Sequence, residues 1–144
     1  MLEFMSMVFG ANMKLIDSET LISSFNSSYA DKNIVAIDET VIEKASAVER
    51  IKMLATAKTL PVNMKHVAEY DLPFYGKIVM ATNKEKDFMR IDNEEIRFWI
   101  RKPGRINYID PQYHKRLCNE IPKFLRYLEQ LPDVEIKTRM VFTA

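Results

Sequence analysis

The feature that most restricts the fold is the run Ile34-Val35-Ala36-Ile37, which passes without a polar break into Asp38 and Glu39. A strand with one wet face alternates apolar and polar residues. An unbroken β-branched run instead suits a strand covered on both faces, as in a parallel sheet flanked by helices. Ligands of such sheets bind beyond the carboxyl ends of the strands, and Asp38 and Glu39 stand at that end. One carboxylate can hold a cation while its neighbour orients a water. The plainer reading is a buried strand that runs out into a solvated acidic turn.

A second run of the same kind, Ile78-Val79-Met80-Ala81, ends in Thr82-Asn83. Between them lies a helical pattern from Val41 to about Lys58. Val41, Ala45, Val48, Ile51, Leu54 and Ala55 share one face, and Glu43, Lys44, Glu49, Arg50 and Lys52 the other. Strand, helix and strand of this character predict a right-handed parallel crossover, which sets Asp38-Glu39 and Thr82-Asn83 side by side on one sheet edge. After Leu60-Pro61, residues Leu60, Val62 and Met64 alternate with Pro61, Asn63 and Lys65, and Val67, Tyr70 and Leu72 supply a return strand. This predicts a β-hairpin with Lys65-His66 at its tip.

Elsewhere the pattern is mostly helical. Phe4, Met5, Met7, Val8 and Phe9 read as the last turns of a helix with Gly10 as its C-cap. Asp17 or Ser18 caps a helix over residues 18–29, striped by Leu21, Ile22, Phe25 and Tyr29. Ile96, Phe98 and Ile100 alternate with Arg97, Trp99 and Arg101 as a short strand, which makes Trp99 a half-buried residue, although it also has the chemistry to stack on a base. Asp110-Pro111 opens a helix, Pro122 divides it, and residues 136–142 read as a final strand. Methionines at 5, 7, 13, 53, 64, 80, 89 and 140 are expected to fill the core.

Composition narrows the function. At 144 residues, 47% hydrophobic and 28% charged, the chain fits one globular domain, or one with a small appendage. A net charge of +1 excludes a global basic field, so any nucleic-acid contact must come from a local patch. The single Cys118 excludes an internal disulfide and fits a reducing compartment. One cysteine and two histidines make no zinc site. No apolar run reaches membrane-spanning length, and the start is not that of a signal peptide. No Ser-His-Asp or Cys-His arrangement stands out. There are three glycines and no G-x-x-x-x-G-K-[ST] loop.

In this order the motifs resemble those of superfamily 3 helicases, the AAA+ ATPases of viral, phage and plasmid replication, and especially the helicase half of phage primase–helicases. Residues 34–39 resemble the Walker B strand, 58–72 the DNA-binding hairpin, 78–83 the sensor-1 strand and 91–98 the segment bearing an arginine finger. Phe25-Asn26 and residues 120–125 also look like phage members. The resemblance implies an α/β fold: a partial, three-layer AAA+-like parallel sheet flanked by helices, with an inserted β-hairpin and C-terminal helices. It divides the chain into an ATPase core over 1–107 and a helical extension over 108–144 that ends in a short strand. It implies catalytic roles for Asp38, Glu39, Asn83 and Arg97: Asp38 on Mg²⁺ with ATP, Glu39 as general base, Asn83 on the attacking water or γ-phosphate, Arg97 on the γ-phosphate held by the next subunit. Lys65 and His66 would contact DNA, single-stranded or forked. The family's phosphate loop would fall before Met1, so the resemblance is to the family with its front removed. The parent would be a ring, and this chain a monomer or dimer unable to hydrolyse ATP efficiently. The setting implied is the cytoplasm of a bacterial host, with a bacterial, phage or prophage gene and no membrane.

Two other readings stay open. One is a non-catalytic module that binds DNA or a protein through the hairpin and the exposed sheet edge. The other is a metal-dependent nuclease using Asp38, Glu39 and Glu43. For Arg97 the bland alternative is an ion pair with Glu94 or Glu95, worth about 0 to 1 kcal/mol if exposed.

Overall fold

The computed structural model describes residues 1–38, 42, 44–84, 88–89, 95, 97–104, 107–108 and 110–133. The chain forms two compact units, Met1–Asn93 and Glu94–Ala144.

The first unit is built on a three-stranded parallel sheet in the order β1 (Met13–Ile16), β2 (Ile34–Asp38), β5 (Lys77–Ala81). The apolar run is the central strand. Val35, Ala36 and Ile37 have no exposed surface. Alternation sends Ile34 and Ala36 to one face, where they pack with Met13 and with Leu2 and Met5 of α1 (Leu2–Phe9). Val35 and Ile37 face the other way. The connections from β1 to β2 and from β2 to β5 step across the sheet in the same direction. Right-handed crossovers therefore place α2 (Ser18–Ile22) and α3 (Ala45–Thr56) together on that second face. The two helices pack on each other, and α3 packs on β5. Val48, Ile51 and Leu54 are buried as the spacing predicts, but Ala47 joins them in place of Ala45 and Ala55, which are exposed, and α3 begins at Ala45 rather than at Val41. Full burial of an aliphatic side chain such as Ile37 contributes about 1.5–3 kcal/mol.

The hairpin is present, with β3 (Thr59–Val62) antiparallel to β4 (Tyr70–Pro73) and Leu60 opposite Leu72. Gly76 then lets the chain turn tightly into β5. A Cβ there would lie 2.4 Å from the buried Phe74 ring and 3.1 Å from the Lys32 carbonyl. In the second unit, α4 (Tyr113–Asn119) and α5 (Ile121–Glu129) follow Asp110, with Pro122 in the first turn of α5. No helix among the described residues is long and apolar enough to cross a membrane.

Several expectations need correction. The helix over 18–29 stops at Ile22, because the chain breaks away there to seat Asn26 and Tyr29 in the core. β1 is an additional strand; Lys14 interrupts its apolar pattern, since an edge strand leaves Lys14 and Leu15 exposed. Residues 97–101 form no strand among the described residues, and Trp99 is 69% exposed. Met13 and Met89 are buried, but Met7, Met53 and Met64 are exposed. The expected final strand over 136–142 lies outside the described residues.

Asn26 joins the turn region to the hairpin. It is 1% exposed, its Nδ2 donates to the Pro61 carbonyl at 2.7 Å, and its Oδ1 accepts from the Asn63 N–H at 2.9 Å. Asn26→Ala is expected to cost about 2–3 kcal/mol, because it removes a fully buried side chain and leaves two part-buried backbone groups unpaired. Thermal unfolding should show the loss as a drop of roughly 10 °C; a shift within error would mean that the clamp is solvated. Asp17 caps α2, and the Thr20 N–H, aided by the Thr20 hydroxyl, holds its carboxyl below the ordinary value of 3.8. Its stabilisation is therefore complete above the unfolded carboxylate value and is lost as pH falls through the lower folded value. Urea midpoints measured between about pH 5 and pH 2 should show a shallower acid limb in Asp17→Asn than in the parent chain.

Candidate functional site

The parallel ladder sets the site. Ile34 to Asp38 pair in register with Lys77 to Ala81, so Asp38 stands opposite Ala81. Thr82 and Asn83 follow at once, and the two polar strand ends lie side by side. Asp38 and Asn83 are exposed and Thr82 is half-buried. The Thr82 Oγ1 accepts the Lys84 N–H at 3.1 Å, which closes a tight bend around Asn83. Beyond the strands the two segments stay together: the Ile42 N–H donates to the Phe88 carbonyl at 2.6 Å, and Ile42 bridges in parallel to Met89. Both side chains are buried, so this crosslink is anchored in the core. Glu39 and Glu43 lie outside the described residues.

The edge carries a third polar end, at a residue whose sequence pattern marks it only as a helix cap. Asp17 follows β1 directly, and with Lys14, Ile16, Thr20, Ser28 and Asp38 it lines an open groove at the carboxyl ends of β1 and β2. The signal was the short run ending in Asp17, weaker than the others because Lys14 breaks it. Asp17 accepts the Thr20 N–H, and Asp38 is the groove carboxylate on the strand next to Asn83's. No cluster of three or more His, Cys, Asp or Glu side chains able to hold a metal occurs among the described residues.

The hairpin tip is a tight turn. The Val67 N–H donates to the Met64 carbonyl at 3.3 Å, with Lys65 and His66 at the two central positions. His66 has φ +63°. A positive φ at the third residue of a turn favours Gly or Asn, and His is among the few other residues found there. Both tip residues are exposed. The Lys65 ammonium lies 5.6 Å from the Phe25 ring centroid. Phe25 and Asn26 thus act together, one under the lysine at the tip and the other clamped to the end of β3 that leads into the tip.

Arg97 belongs to the second unit. Its Nε donates to Glu95 Oε1 at 2.6 Å, its Nη2 donates to Glu95 Oε2, and its backbone N–H also reaches Oε1 at 3.0 Å. The Glu95 side chain is 5% exposed and that of Arg97 is 39% exposed. The guanidinium is therefore held by a nearly buried carboxylate.

Solved structures of the NrS-1 C-terminal region share this fold. One apo structure matches with a TM-score of 0.80 and 20% identity over 99% of this chain and 36% of that chain. Another matches with a TM-score of 0.76 and 19% identity over 90% of this chain and 33% of that chain. The chain thus spans about a third of the length of these structures. At this identity the likeness is one of fold. No curated protein matches the chain. Residues 1–101, which hold the sheet, the hairpin and Arg97, match DUF5906, a family of unknown function, and the chain belongs to that family.

Proposed function

We propose that the chain is the central and C-terminal part of an AAA+-type ATPase that drives DNA unwinding in replication. The observation that carries this reading is the pairing of β2 with β5, which sets Asp38 next to the Thr82-Asn83 end. The fold likeness to a longer protein and the motif order add support.

The donor chemistry fits Mg²⁺ with ATP. Mg²⁺ is commonly bound through one or two carboxylates, waters and substrate phosphates rather than by an all-protein cage. An exposed Asp38 at a strand end, with no metal-holding cluster among the described residues, matches that pattern. When bound, the ion neutralises charge on the β- and γ-phosphates. The protein's own tasks are then positional. Asp38 holds the ion, directly or through water. Glu39 takes the proton of the attacking water. Asn83 orients that water or the γ-phosphate from the adjacent strand end. Arg97 stabilises charge on the γ-phosphate bound by a neighbouring copy in a ring. A phosphate-gripping loop must come from outside these 144 residues, which contain none. At the hairpin, Lys65 and His66 meet DNA phosphates, a contact blind to sequence.

A second reading is a DNA-binding module without catalysis. The engagement of Arg97 by Glu95 favours it, since a finger held by its own chain is not aimed at a nucleotide.

In the intact polypeptide that carries this segment, Glu39→Gln should lower ATP turnover by about 10²–10⁴-fold while leaving Mg·ATP binding within a few-fold. Unchanged turnover would leave only the binding module. For the chain itself, Lys65→Ala should weaken binding of a labelled single-stranded oligonucleotide at low salt. It should also lower the slope of log affinity against log salt by about one unit. His66→Gly separates backbone from side chain: it relieves the positive φ, so stability should hold or rise while binding falls. Unaltered affinity in both variants would remove the hairpin from the interface.

A further inference from the structure

The second unit presents an aromatic and basic surface with no part in the ATPase reading. Trp99, the single tryptophan of the chain, is 69% exposed, and Tyr108 is 77% exposed. Scattered exposed apolar residues are ordinary, but three features set this segment apart. The Arg101 guanidinium lies 5.1 Å from the Trp99 ring centroid, so one cation already sits over the indole. Arg101, Lys102 and Arg105 fall in a stretch, residues 98–109, that has no carboxylate. Residues 98–101 also lie outside any helix or strand, so no ladder restricts what approaches the ring.

We propose that Trp99 and Arg101 form a stacking platform for single-stranded nucleic acid, with Lys102 as a neighbouring phosphate contact. A base has a π-face and a phosphate a negative charge, and this surface offers the complement of each within a few residues. Base–aromatic stacking backed by cations is how proteins grip single strands without reading their sequence. A duplex hides its base faces and offers only phosphates. An apolar protein surface would offer the Arg101 guanidinium no negative charge. Single-stranded nucleic acid is therefore the partner that satisfies both parts. The platform stands on the second unit alone and shares with the hairpin only the class of ligand.

Because Trp99 is the single tryptophan, its emission reports on this surface without any label. The intact chain is titrated at low salt with a fluorescently tagged oligo(dT), read by anisotropy, and with the untagged strand, read by tryptophan emission. Oligo(rU), duplex DNA and anionic vesicles are the comparison ligands. Expected is quenching that saturates with the anisotropy curve, from oligo(dT), oligo(rU) or both, and little from duplex. Trp99→Ala should weaken binding roughly tenfold while Trp99→Phe keeps most of it, and Arg101→Gln should weaken it as well. Lys65→Ala should lower affinity but keep the full quench at saturation, which separates the platform from the hairpin. Oligonucleotide binding without any change in emission overturns the proposal. So does the absence of binding, a quench that disappears in Lys65→Ala, or quenching by vesicles alone. Far-UV circular dichroism checks that the variants fold, and the exposure of Trp99 makes its replacement a mild change.

Discussion

The structure of the first unit depends on the burial of β2 on both faces. A strand covered this way cannot hydrogen-bond to water, so its backbone groups need a partner strand on each side, and β1 and β5 provide them. Its side chains demand cover above and below, which α1 on one face and α2 with α3 on the other supply. A parallel partner also requires a crossover, so the helices that bury the strand are the same ones that connect it. One apolar segment thus dictates strand order, helix placement and the edge on which polar groups collect.

That edge has chemical meaning because a parallel sheet aligns all its carboxyl ends. Asp17, Asp38 and Asn83 come from distant parts of the sequence, yet each follows its strand's last apolar residues. The Ile42–Met89 bridge keeps the segments beyond two of those strands together, so the Asp38 and Asn83 ends are braced from both sides. The Asp17 carboxylate is engaged by the Thr20 N–H, and a carboxylate satisfied in that way is a poor cation ligand.

The hairpin and Arg97 show how charge is managed away from the sheet. Lys65 rests over Phe25 and keeps its exposure, so its charge remains available for a phosphate at little desolvation cost. Arg97 is in the opposite condition. Removing it from Glu95 would break a two-point ion pair with a nearly buried carboxylate, and breaking such a pair is among the costlier changes a protein can undergo. Any role for Arg97 on a nucleotide therefore requires Glu95 either to move with it or to keep hold of part of the guanidinium.

Local pattern was enough for the central strand, its parallel partner β5, the middle of the connecting helix and the hairpin with its tip, because each has an apolar spacing that few environments satisfy. Ile34 to Ile37 cannot be half-wet, and Leu60, Val62, Tyr70 and Leu72 alternate as a hairpin must. Tertiary structure decided the rest. β1 was hidden because an edge strand tolerates Lys14. The helix from Ser18 ended early because burying Asn26 against the hairpin outweighed continuing the apolar stripe. Trp99 was expected half-buried because alternation around it resembled a strand, but alternation buries a face only where a neighbouring strand exists to cover it. Local pattern reports what a segment is able to bury; only the assembled chain decides what is there to bury it against.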